Sequence, residues 1–165
     1  WIAMDDASFQ KTVSRLFKVM DLKGDPTEAQ SAGYTVSVGQ GLQIELIGMQ
    51  EGFLNMLSVV GTIPDAADSN TLKALLYGNQ FTFDHPQVCL GADPKTGNIM
   101  LWTRQALKEL DDKAMLALFG RFTHMADLVR QWLAEACPRN GTSNGTNKGG
   151  TSERLQRLKV GKPAK

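Results

Sequence analysis

Residues Asn70 to Arg104 read N-T-L-K-A-L-L-Y-G-N-Q, then F-T-F-D-H-P, then Q-V-C-L-G-A-D-P-K-T-G-N-I-M-L-W-T-R. The first piece predicts a short helix. Leu72, Leu75, Leu76 and Asn79 recur at i, i+3, i+4 and i+7, so three leucines share one stripe. Gly78-Asn79 offers this helix a left-handed stop. The last piece predicts a hairpin. Val88, Leu90 and Ala92 alternate with Gln87, Cys89 and Gly91, and Ile99 to Thr103 is a second β-rich run. Between them, Asp93-Pro94-Lys95-Thr96-Gly97 places proline where φ is pre-set and ends on a glycine that takes φ > 0. Nothing in the stretch is reactive; it builds surface.

Upstream, a first helix is expected over about Asp6 to Leu22. Phe9, Val13, Leu16, Phe17 and Met20 form its apolar stripe, with Lys11, Arg15 and Lys18 on other faces. Asp5, Asp6 or Ser8 can cap it, and Lys23-Gly24-Asp25-Pro26 should end it. After a loop to Gly33 come three strands: Tyr34–Val38, Leu42–Met49 and Phe53–Val60. Turns at Gly39-Gln40-Gly41 and Gln50-Glu51-Gly52 separate them. In the second strand Leu42, Ile44 and Leu46 point one way, Gln43 and Glu45 the other. Phe53–Val60 is apolar on both faces, so both sides should be covered by something. A loop containing Pro64 leads to Asp68 or Ser69 as cap of the short helix.

Downstream of the hairpin, Asp111-Asp112 suit a helix start, as cap and against the dipole. A long helix should run from about Asp112 to Ala136, because Met115, Phe119, Phe122, Ala126, Val129, Leu133 and Ala136 keep a steady 3–4 spacing. The order α-β-β-β-α-β-β-α, with runs of antiparallel strands, argues an α+β fold with helices flanking a twisted antiparallel sheet.

The 165 residues divide into a folded body, 1–138, and a tail, 139–165, rich in Gly, Ser, Thr and Asn and then in basic residues. The near-neutral total of +1 hides an asymmetry. The tail carries seven basic residues against Glu153, a surplus of six; the body's eleven basic and sixteen acidic residues leave it at about −5. Two sequons, at Asn140 and Asn144, carry little weight without a secretory route. Cys89 and Cys137 are far apart and read as buried or half-buried thiols rather than a disulfide or metal site. No apolar run approaches a membrane span of about 20 residues, and no signal peptide is visible. The chain opens on Trp1 rather than Met, so further residues are expected before it, and cytosol is the simpler compartment.

Chemistry-bearing motifs are missing. Val38-Gly39-Gln40-Gly41 lacks the helix and lysine that a phosphate loop needs. No Cys/His pattern matches a metal site, and no cofactor signature is present. His124 and Asp127 lie three apart on the long helix and could form a general-base couple, although a helix-surface contact is the better account. The body's basic residues are scattered and form no aromatic-basic platform, which argues against nucleic acid except through the tail. What stands out is surplus apolar surface. Phe53–Val60 has two apolar faces, Ile47 and Met49 fall on the polar face of their strand, and seven methionines suit adaptable surfaces. Together these point to docking of another chain.

Over about Phe9 to Leu133 the sequence resembles the CesT/Tir-type class I chaperones of bacterial type III secretion. The resemblance rests on the amphipathic first helix, the strands Leu42–Met49 and Phe53–Pro64 ending G-T-I-P, and the helix L-K-A-L-L-Y-G-N. The hairpin L-G-A-D-P-K-T-G-N-I-M-L and the last helix ending near W-L complete it. Its most specific part is L-L-x-x-N followed by L-G-x-D-x-x-T-G-x-x-x-L. The basic tail departs from the usual small acidic chaperone and leaves open a broader-specificity type, or contact with secretion machinery or membrane. The resemblance implies a non-enzymatic, cytoplasmic homodimer without cofactor or stable membrane insertion. Its client would be the N-terminal region of a secreted effector, held extended and competent for export, and the export ATPase is a further implied partner. Implied client-binding residues are Phe17, Ile47, Met49, Phe53 and Leu57. Implied dimer residues are Leu72, Leu75, Leu76, Val88, Leu90 and Met100. The alternative is a regulatory or adaptor domain of the same fold with a different protein partner.

Overall fold

The computed structural model describes residues 7–23, 33–63, 67–80 and 82–136. Expectations on Asp5, Asp6, Gly24-Asp25-Pro26, Pro64, Cys137 and the tail fall outside them. The elements are α1 (Ala7–Val19), β1 (Gly33–Val38), β2 (Leu42–Ile47), β3 (Phe53–Thr62), α2 (Ser69–Tyr77), β4 (Cys89–Ala92), β5 (Asn98–Ala106) and α3 (Asp112–Ala136). This is the α-β-β-β-α-β-β-α order read from the sequence, with one 3₁₀ turn, Leu107–Glu109, leading into α3.

The five strands form one antiparallel sheet in the order β1-β2-β3-β5-β4. Period-two alternation sorts its two faces. Leu42, Ile44 and Leu46 of β2, Leu54, Met56 and Val60 of β3, and Ile99 and Leu101 of β5 are all buried, so they define the inner face. α1 and α3 lie on that face. α1 contributes Phe9, Val13 and Leu16; α3 contributes a stripe from Met115 through Phe119, Phe122, Ala126 and Val129 to Leu133. Two hydroxyls on the inner face, Ser58 and Thr103, are fully buried and satisfied: each donates to a backbone carbonyl, of Gln43 at 2.7 Å and of Gln87 at 2.8 Å.

α1 ends earlier than Lys23-Gly24 would place it. Asp21 takes the left-handed conformation (φ 51°), Leu22 N–H reaches back to Phe17 O at 2.9 Å, and the helix closes there. A non-glycine residue in this region is uncommon, so composition gave no warning of it. α2 starts as expected: Asp68 accepts from the Thr71 N–H at 2.7 Å. Its end is a correction. Gly78 is right-handed (φ −55°), not left-handed, and the chain turns away because Asn79 binds β4 instead.

The two aspartates at the start of α3 have separate jobs. Asp111 is the cap, accepting from Ala114 N–H at 2.7 Å, while Asp112 accepts from Arg15 Nε of α1 at 2.8 Å. The D-P-K-T-G turn forms as read. Asp93 accepts from Lys95 N–H and from the Thr96 hydroxyl, and Gly97 takes φ 69°.

Candidate protein-docking surfaces

The outer face of the sheet carries the side chains that alternate with the core. Cross-strand register assembles them into rows. One row runs Glu45, Leu57, Trp102, Cys89 across β2, β3, β5 and β4. The next runs Val59, Met100, Gly91. A third holds Ile47, Asn55 and Arg104. Trp102 pairs with Cys89 across β5 and β4, and its indole Nε1 lies beside Gly91. Val59 and Trp102 remain 48% and 42% exposed. The doubly apolar β3 is therefore covered on its inner side alone among the described residues.

The five implied client-binding residues do not share one surface. Phe17 stands on the inner, helical side, edge-on to Tyr34 at 6.3 Å between ring centroids. Ile47, Phe53 and Leu57 point from the outer face, and Met49, 84% exposed, follows β2. Phe53 is not an open apolar site, because the Arg104 guanidinium lies 5.9 Å from its ring centroid and is fixed there by Asn55 Oδ1 at 2.8 Å.

The implied dimer residues also divide. Val88 is buried in the core, and Leu75 and Leu90 pack against that core, Leu90 because it stands opposite the inward-facing Leu101. Leu72, Leu76 and Met100 stay outside, Leu76 at 69% exposure. Sequence reasoning missed Trp102 and Val59 as surface. Their signal was present in the alternation of Met100 and Trp102 against Ile99, Leu101 and Thr103.

A groove of about 690 Å³ opens between α3 and the β1–β2 turn. Val38, Leu42 and Phe119 supply apolar wall, and His124, Asp127 and Arg130 supply polar rim. Asp127 does not serve His124. Its two oxygens accept from Arg130 Nη2 at 2.9 Å and Gln131 Nε2 at 2.7 Å. Arg130 also reaches Gln40 O at 3.1 Å and so ties the turn to α3. Among the described residues no group of three His, Cys, Asp or Glu side chains is placed to hold a metal ion, and no helix is long and apolar enough to cross a membrane.

The motif halves that carry the resemblance meet in space. The Asn79 carboxamide donates to Leu90 O at 2.9 Å and accepts from Leu90 N–H, so L-L-Y-G-N is bonded to L-G-A-D. The model of the Tir chaperone protein (CesT) family matches residues 12–132. The chain belongs to that family. The match spans α1 to α3 and so covers every element of the fold except the first five residues of α1 and the last four of α3.

Solved structures share this CesT-family architecture. A chain of the ExoT–SpcS complex from Pseudomonas aeruginosa superposes with TM-score 0.58 at 23% identity, covering 74% of this chain and 97% of the other. A chain of the HopA1–SchA chaperone–effector complex gives TM-score 0.61 at 14% identity, covering 78% and 98%. A chain of the Yersinia pestis type III secretion chaperone SycH in complex with a fragment of YscM2 gives 0.55 at 12%, covering 72% and 96%. At these identities the likeness is one of fold. No curated protein matches the chain.

Proposed function

We propose that this CesT-family chain is a type III secretion chaperone. As a homodimer it binds the N-terminal region of a secreted effector and keeps it extended for export. Family membership over residues 12–132 is the observation that carries this reading. Two features of the surface support it physically. The outer face bears Leu57, Val59, Met100 and Trp102 without a covering layer among the described residues, and α2 turns Leu72 and Leu76 outward. Part of this surface can bury a second copy of the chain, and the rest is left for a client without its own fold, which must recover its ordering entropy from apolar surface.

The dimer surface is assigned to Leu72, Leu76, Met100 and Trp102, with Val88, Leu75 and Leu90 behind it as support. Client contacts are assigned to the apolar surface around Phe17 on the helical side and to Ile47, Met49 and Leu57. The work is binding, not catalysis, and proceeds in the bacterial cytoplasm before export. Co-expression with N-terminal segments of secreted effectors tests the reading: a stable, co-purifying complex is expected. Failure of every such segment to co-purify would overturn it.

A further inference from the structure

β4 is a terminal strand of the sheet, bonded on one side to β5. In an antiparallel ladder the N–H and C=O of one residue point to the same side. Both groups of Leu90 go to the Asn79 side chain, the C=O at 2.9 Å and the N–H at 2.6 Å. They therefore point away from β5, along the open edge of the sheet. The carboxamide offers one donor and one acceptor, as a peptide group of an added strand would. Gly78 lets this happen: a side chain there would begin 2.6 Å from Leu90 Cδ1.

We infer that Asn79 is the guard of the β4 edge: its carboxamide stands in for a neighbouring strand at Leu90 and denies that edge to another chain. Unpaired strand edges recruit further strands and drive open-ended association. β4 is only four residues long, which limits its edge further. With β4 closed, the other terminal strand of the sheet among the described residues, β1, is the edge assigned to an added partner strand. That last consequence rests on the client-binding reading above; the guarding of β4 does not.

The test uses the full chain by itself, so its failure is distinguishable from failure to bind a client. Asn79→Ala removes both bonds. Asn79→Asp keeps the acceptor and leaves Leu90 C=O bare. Light scattering from micromolar to submillimolar concentration should show both variants rising in mass with concentration beyond the wild-type state, the alanine variant further. Adding Ala92→Lys, a charge on the exposed end of the same strand, should return either variant to the wild-type mass. Should Asn79→Ala fail to fold, Asn79→Asp carries the same comparison. Wild-type mass for both variants at every concentration would overturn the inference. So would association that Ala92→Lys leaves unchanged, which would mark exposed core rather than an open edge.

Discussion

The Phe9 ring occupies the space a side chain at residue 48 would need. A Cβ on Gly48 would stand 2.3 Å from the ring's Cγ, and Phe9 itself is 2% exposed with no room to retreat. The first helix is thus seated on the end of the second strand by an absent side chain. Gly48→Ala should force Phe9 and α1 off the sheet and cost about 1–3 kcal/mol, as overpacking does. Urea unfolding reads the cost. An unchanged midpoint would show that α1 is not seated through this contact.

Asp111 and Asp112, adjacent and alike, should respond differently to removal. Asp111 caps α3, and losing such a cap costs about 1 kcal/mol. Asp112 makes an exposed ion pair with Arg15, worth about 0–1 kcal/mol and screened by salt. Asp111→Ala should therefore lower the unfolding midpoint more than Asp112→Ala, and salt should shrink only the effect at Asp112.

Acid should loosen one helix cap and one turn. The Thr71 N–H holds the Asp68 carboxyl below the ordinary value, and the Lys95 N–H followed by the Thr96 hydroxyl does the same for Asp93. Folding therefore favours the ionised form of each. Their contribution is fully present above the ordinary aspartate value of about 3.9 and is lost as pH falls through the lower folded values. Asp93→Asn should make stability less steep in pH below about 4, when followed by thermal unfolding at stepped pH. A slope equal to wild type would mean the turn does not discriminate the two forms.

On the proposed dimer, Trp102 and Val88 should separate assembly from folding. Trp102 is 42% exposed on the outer face, whereas Val88 is buried. Trp102→Ala should weaken self-association at least about tenfold, or about 1.4 kcal/mol, with little loss of monomer stability. Val88→Ala should do the reverse, lowering stability by about 1–3 kcal/mol while leaving the association constant of the folded chain unchanged. Sedimentation equilibrium and urea unfolding together distinguish the two.

Strand alternation and the 3–4 spacing of α3 made the element order legible, since periods of 2 and 3.6 report directly which residues share a side. α3 starts at Asp112, just ahead of its apolar stripe, and is helical through Ala136, the last of the described residues. The spacing could not say which side of the β4–β5 hairpin faces the helices. Val88 and Leu90 compete with Cys89, Met100 and Trp102 for the core, and both sets are apolar, so only the assembled sheet decides. The end of α2 was hidden for another reason: Asn79 is fixed by Leu90, eleven residues away, not by its own helix. The five client residues were drawn from both sides of the sheet because sequence carries no record of which faces meet.

The central claim is that two copies of this chain hold a partner chain extended on apolar surface. Hydrogen exchange on a complex with an effector's N-terminal segment tests it most directly. The segment's amides should slow only where they touch the chaperone and show no protected fold of their own, while protection rises in this chain at the outer sheet face or α1. A bound segment protected as a compact domain, or a chain whose own exchange is the same with and without it, would contradict the account.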